Sequence, residues 1–260
     1  MWKNSPPIDA GICPFCFEPF SEEPLSRRAT KEHVIARAWY PTNSLNFPRP
    51  QVIACNACNG RYGEQERYLL SRLGFVFGFQ NPHAVGLHDK AVRAMPPSAG
   101  DDERDALARS AERNRVGRSF TIAAPDDLGA INPQGFRPQE LRTAAGLYVR
   151  GNLGLPLDPA ILESVGVKIA RGLFLWETES PLARDATVRT QLLSPSQYQS
   201  VIAALGTAFR SFTVRKLPPG VWYLFAPVED DPWGSVSFTC LWERILFMGT
   251  TYDNSRLSPV

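Results

Sequence analysis

The chain has 260 residues, 43% apolar and 21% charged, which is ordinary globular usage and excludes wholesale disorder, a collagen-like repeat and a disulfide-framework miniprotein. Its 28 basic and 26 acidic residues leave a net charge of +2, too small for a polybasic nucleic-acid coat. No apolar run approaches the roughly 20 residues of a membrane helix, and Met1-Trp2-Lys3-Asn4 opens no signal peptide. The expectation is a soluble cytoplasmic protein with no membrane partner.

Taken in chain order, residues 25–36 carry Thr30 and the β-branched pair Val34-Ile35, which predicts a strand. Residues 59–73 contain no proline, and Tyr62, Leu69, Leu70 and Leu73 fall near helical spacing. An aromatic run over 74–79 follows, then the breaker Asn81-Pro82, so a soft boundary is placed across 76–100. Residues 101–115 read as a surface helix, acids leading (Asp101, Asp102, Glu103, Asp105) and arginines following (Arg109, Arg113, Arg115), in line with the helix dipole. After a Pro/Gly/Asn-rich passage over 125–138, Asp158-Pro159 opens the strongest amphipathic helix, with Ile161, Leu162, Val165, Ile169, Leu173 and Phe174 as its stripe and an end near Thr178. Ser194-Pro195 predicts a short helix through Leu205, capped by Ser194. Short β-branched or aromatic runs at 209–214, 221–227, 235–241 and 244–251 then predict an antiparallel sheet with helices on one face. The fold class is α+β, divided as 1–75, a linker over 76–100, and an α+β domain over 101–260.

The five cysteines are not scattered. Cys13-Pro14-Phe15-Cys16 and Cys55-Asn56-Ala57-Cys58 are two pairs separated by 38 residues, and Cys240 stands apart in a strand-like run as a core thiol. Two sulfurs three positions apart bind one ion from a tight turn, and two such turns complete a tetrahedron, so Cys13, Cys16, Cys55 and Cys58 are assigned a structural Zn²⁺. Redox CxxC motifs usually come singly, beside a βαβ pattern. Such a site contributes on the order of 10–16 kcal/mol to folding, which a short, loop-rich segment needs.

Between the pairs lies Thr30-Lys31-Glu32-His33-Val34-Ile35, and directly after them Asn59-Gly60-Arg61-Tyr62-Gly63-Glu64-Gln65-Glu66. On a helix, Asn59, Gly63 and Glu66 share one face. This order of CxxC, Glu-His-Val-Ile, CxxC-Asn and a helix bearing Glu resembles the HNH endonucleases, specifically their zinc-bearing branch. The likeness covers residues 12–72, about a quarter of the chain. The resemblance implies an N-terminal zinc-stabilised ββα-metal module that hydrolyses DNA phosphodiesters, with His33 as general base, Glu32 and Asn59 around a catalytic Mg²⁺ or Mn²⁺, and Glu66 as a further site residue. His33, ordinarily titrating near 6.5, suits proton removal at neutral pH, and oxygen ligands suit those cations. Adjacent strand residues point to opposite faces, so Glu32 and His33 reach one site only where the strand ends or bulges.

Two positions depart from the family pattern. Ala36 stands where a proline is frequent, and the middle Asn that would orient the histidine has no clear counterpart before Cys55. Gln51, Asn46 or a main-chain carbonyl could take its place.

Net charge hides a local field. Residues 26–72 hold eight basic and three acidic side chains, a net +5, whereas 1–25 sum to −3 and 73–260 to zero. Arg27, Arg28 and Arg61 are the expected phosphate contacts. The sequence thus reads as a metal-dependent HNH endonuclease acting on DNA, with RNA and a homodimer both admitted, and consistent with a restriction or anti-phage role. Its C-terminal region would restrain cutting, so truncation after about Leu73 would raise activity. The competing readings are a catalytically inactive zinc-knuckle nucleic-acid-binding module and a zinc-stabilised protein-interaction domain.

Overall fold

The computed structural model describes residues 7–44, 49–74, 81–93, 102–119, 121–123, 130–131, 139–142, 148–193, 197, 200–201, 203–204, 213–216, 220–228, 230–243 and 245–253. Within them the chain is a mixed α+β protein. It forms two compact units, one from residues 1–37, 44–65 and 163–260 and the other from 38–43 and 66–162. The first unit therefore draws on segments from both halves of the chain. No helix among the described residues is long and apolar enough to cross a membrane.

In the first unit, strand β1 (Ala29–His33) pairs antiparallel with β2 (Gln51–Cys55). Helix α1 (Asn56–Leu69) follows β2 with no intervening loop. The predicted strand over 25–36 is thus shorter, its start taken by a 3₁₀ turn at Leu25–Arg27. The register sets Glu32 opposite Val52 and His33 opposite Gln51. Ile8 adds a parallel bridge to Val52 on β2.

The same unit holds most of α4 (Pro159–Thr178) and a five-stranded antiparallel sheet in the order β7-β11-β10-β9-β8. These strands are β7 (Thr187–Leu193), β8 (Thr213–Lys216), β9 (Val221–Pro227), β10 (Ser235–Leu241) and β11 (Ile245–Tyr252). The predicted sheet is present, with β7 as an edge strand that the apolar runs did not reveal. Asp158 caps α4 by accepting the Ala160 N–H at 2.9 Å, with Pro159 at the first helical position. At the far end Glu179 takes a left-handed φ of 58°. One face of α4 meets the sheet: a Cβ at Gly166 would stand 2.8 Å from Thr190 Oγ1, and one at Gly249 would stand 2.8 Å from Ala170 Cβ. The sheet's other face gathers Leu193, Leu224, Phe238, Cys240 and Leu246, so Cys240 is the core thiol its position suggested. Residues 197, 200, 201, 203 and 204 are helical, while Ser194, its expected cap, lies outside the described residues.

The second unit carries the end of α1, which widens into a π-helical turn at Leu70–Gly74. It also has α2 (Leu87–Arg93) and α3 (Glu103–Ser119), the latter where the charge pattern placed a surface helix. A small antiparallel sheet surrounds β6 (Tyr148–Pro156), which pairs with β3 (Thr121–Ala123), β4 (Ala130–Ile131) and β5 (Gln139–Arg142). The aromatic run at 75–80 lies outside the described residues.

Candidate metal centre and adjoining histidine

The first cysteine pair sits in a tight turn. Phe17 N–H donates to Cys13 O at 2.8 Å and Cys13 N–H to Glu18 O at 2.9 Å, while Phe17 takes a left-handed φ of 61°, uncommon outside glycine. The second pair joins the end of β2 to the first turn of α1, where Cys58 N–H points to Cys55 Sγ at 3.5 Å. All four sulfurs lie within 4.8 Å of one another, and Cys16 Sγ stands 3.7 Å from Cys55 Sγ. A zinc–sulfur bond of about 2.3 Å gives a tetrahedral edge of about 3.8 Å, so these four cysteines could hold a zinc ion. None of the five cysteines is in a disulfide. The Cys13 thiol is lowered to about 4, first by the Cys58 side chain bonded to it. Cys58 is raised through that same contact, and Cys55 is raised by burial. A bound cation would hold the charge of these sulfurs, since a coordinated thiol is deprotonated outright. Arg171 on α4 braces this turn, donating to Phe15 O at 2.9 Å and lying 4.8 Å over the Phe17 ring.

His33 ends β1, partly buried. Its Nε2 lies 2.9 Å from Gln51 Nε2 across the strand pair, so Gln51 supplies the amide for which the sequence had no clear asparagine; Asn46 lies outside the described residues. An amide nitrogen donates, which places the imidazole lone pair on Nε2; turning the amide over presents Oε1 and moves the lone pair to Nδ1. The imidazole is lowered to about 4, chiefly by burial and then by the positive charges of Arg49, Lys168 and Arg37. It is therefore a neutral base at pH 7.

Glu32, the preceding residue, turns the other way and is only 6% exposed. Its carboxylate pairs with Lys168 on α4, a side chain with no exposed surface. Burial raises Glu32, and the Lys168 charge works against that rise. Lys168 Nζ also donates to the His33 main-chain oxygen at 2.7 Å and lies 5.8 Å from the Tyr62 ring. Asn59, in the first turns of α1, donates through Nδ2 to Thr30 Oγ1 at 3.0 Å and to Lys31 O at 3.2 Å, tying the helix to β1. Of the two groups that the resemblance assigned to a catalytic cation, Glu32 thus has its charge met by a buried ammonium, and half-buried Asn59 spends its Nδ2 on β1. Among the described residues the four cysteines are the group of His, Cys, Asp and Glu side chains close enough to hold a metal.

Glu66 falls in the second unit, where its main-chain oxygen accepts the Trp39 indole N–H at 3.2 Å. Of the expected phosphate contacts, Arg27 bonds Glu18 at 3.0 Å, an acid it shares with Arg184 at 2.7 Å. Arg28 faces Glu22 at 3.6 Å, and Arg61 is exposed with its guanidinium 4.7 Å over the Tyr62 ring. Lys168 escaped the sequence reading, although it stands three residues after Val165 and beside Ile169, inside the apolar stripe of α4. A lysine in such a stripe is the available signal for a buried ion pair. No protein-family model, curated protein or solved structure matches the chain.

Proposed function

We propose that the chain is a metal-dependent endonuclease of the HNH type, hydrolysing DNA phosphodiester bonds to 5′-phosphate and 3′-hydroxyl ends, with Zn²⁺ held by Cys13, Cys16, Cys55 and Cys58. The observation that carries this reading is a neutral His33 at the end of β1, bonded to Gln51 of β2, in a β–β–α run whose second cysteine pair starts the helix. With the Gln51 amide turned so that its Oε1 accepts from Nε2–H, Nδ1 is the nitrogen that takes a proton from water. The water oxygen attacks phosphorus, the bond to the 3′ oxygen breaks, and that oxygen leaves as a hydroxyl after proton uptake. Neutral imidazole is the form this step needs, and burial among cations keeps it so. When bound, Mg²⁺ or Mn²⁺ would stabilise the charge developing on the phosphate and on the leaving oxygen. The net +5 over residues 26–72 supports a polyanionic partner, and a restriction or anti-phage role is consistent with this activity.

A second reading is a zinc-knuckle nucleic-acid-binding module without catalysis. The Glu32–Lys168 pair favours it, since it withdraws a carboxylate from the site. Plasmid DNA incubated with Mg²⁺ or Mn²⁺ separates the two, with single-stranded RNA run beside it. Nicking by the wild type that disappears in His33→Ala at unchanged zinc content supports the enzyme. Retention on DNA with no nicking in either cation at any salt supports the binding module.

A further inference from the structure

Lys168 is the least expected side chain of the first unit: fully buried, on a helix more than 130 residues after β1, and directed at the main chain of the proposed base. An isolated ammonium in a protein interior is strongly disfavoured, so such a group persists only where partners hold it. Among its partners are two on consecutive residues, the Glu32 carboxylate and the His33 carbonyl. The carbonyl bond matters because β1 stops at His33. The next main-chain contact is Val34 N–H to Pro50 O at 3.0 Å, just before β2. Lys168 thus holds the terminal peptide of the strand on the side away from Gln51's side chain, which holds the ring. The helix is brought close enough by Gly172, one turn later, where a Cβ would stand 2.9 Å from both γ-carbons of Val34.

We propose that Lys168 and Glu32 are a buried positioning pair for His33, with Lys168 fixing the His33 carbonyl and Glu32 holding the ammonium in place. This rests on the reading of His33 as the base and changes one part of it, since Glu32 acts here through Lys168 rather than as a cation ligand. Catalytic alignment is steep in distance, a displacement of about 1 Å costing about 100-fold in rate, so a main-chain anchor on the base is a large lever.

Lys168→Met leaves the Glu32 charge buried and unpaired and can fail to fold; the neutral double variant Glu32→Gln/Lys168→Met removes both charges at similar volume, a replacement interiors tolerate. Zinc content and melting temperature qualify each protein. On a duplex substrate the double variant is expected to lose about 100-fold in kcat with KM and the half-saturating Mg²⁺ concentration within twofold of wild type. Its His33 imidazole ¹H and ¹⁵N resonances are expected to shift. Lys168→Arg, which keeps a donor and a charge, is expected to retain more activity than the double variant. A folded double variant that cleaves within threefold of wild type with unmoved His33 resonances overturns the proposal. So does a more than tenfold rise in the Mg²⁺ requirement with those resonances unmoved, which would make Glu32 a cation ligand. Absence of cleavage by the wild type itself sinks the nuclease reading instead. In that event the resonances decide the geometric claim, and unmoved ones overturn it.

Discussion

At His33, burial together with Arg49, Lys168 and Arg37 disfavours the imidazolium, and the folded-state value near 4 lies below the ordinary 6.5. Above pH 6.5 neither folded nor unfolded chain protonates this ring, so it contributes no pH dependence. Between about 6.5 and 4 the unfolded chain binds a proton that the folded chain does not, so stability falls as pH drops, and below about 4 this component is flat. Denaturant midpoints at pH 7 and pH 4.5 should differ less in His33→Gln than in wild type, while protonation of the cysteine thiolates affects both proteins alike. An equal drop in the two proteins would contradict the environment assigned to His33. Gln51 is the second lever: Gln51→Leu is expected to reduce kcat by about 10–100-fold, as loss of an orienting partner does at comparable sites, measured on a defined duplex at saturating Mg²⁺. The cysteine cluster was legible because its chemistry is written in local spacing. Gln51 was one of three candidates. Lys168 was hidden, since its partners lie 135 residues away and a helix lysine ordinarily faces water.

Among the elements, α4 is the one whose sequence and position explain each other. Its cap at Asp158, its stripe and its end at Thr178 follow from local signals, and the observed helix runs Pro159–Thr178. What it packs against was not legible, because the small residues Gly166, Ala170 and Gly172 mark a close approach only once the facing Thr190, Gly249 and Val34 are known. A helix interior gains about 1 kcal/mol from Gly→Ala. At Gly117 of α3 nothing lies within 4 Å of the added methyl, so Gly117→Ala should stabilise by about that amount. At Gly172 the methyl meets Val34 at 2.9 Å, and overpacking of about 1–3 kcal/mol outweighs the gain. Gly172→Ala should therefore melt below wild type and Gly117→Ala above it. Opposite signs in thermal unfolding check the packing of α4 on Val34. The short strands β3, β4 and β5 escaped notice because runs of two to four residues are too brief for an alternation to register. β7 was missed because Thr, Arg and Gln dominate it.

For the molecule as a whole, the grouping of residues 1–37, 44–65 and 163–260 in one unit changes what truncation should do. Reading the C-terminal region as a restraint predicts a more active fragment. With Lys168, Arg171 and Gly172 all bearing on the first cysteine turn or on the β1 segment, a chain ending at Leu73 loses the partner of a buried carboxylate, and breaking such a pair costs about 3–5 kcal/mol. That fragment should show no cooperative melting even with zinc supplied; a folded, more active fragment would restore the restraint reading. Chelation acts at the same scale. The two cysteine pairs tie the turn before β1 to the junction of β2 and α1, and zinc binding contributes on the order of 10 kcal/mol to folding. Elemental analysis should find one zinc per chain, and its removal should unfold the first unit, seen as loss of the tryptophan and tyrosine near-ultraviolet signal. In the proposed reaction His33 removes the proton from the attacking water, and single-turnover cleavage of an end-labelled duplex with Mg²⁺ reads that step. Wild type should yield 5′-phosphate and 3′-hydroxyl ends, and zinc-replete His33→Ala should be slower by at least about 100-fold. Equal rates in the two proteins, or no cleavage by either in Mg²⁺ or Mn²⁺, would contradict it.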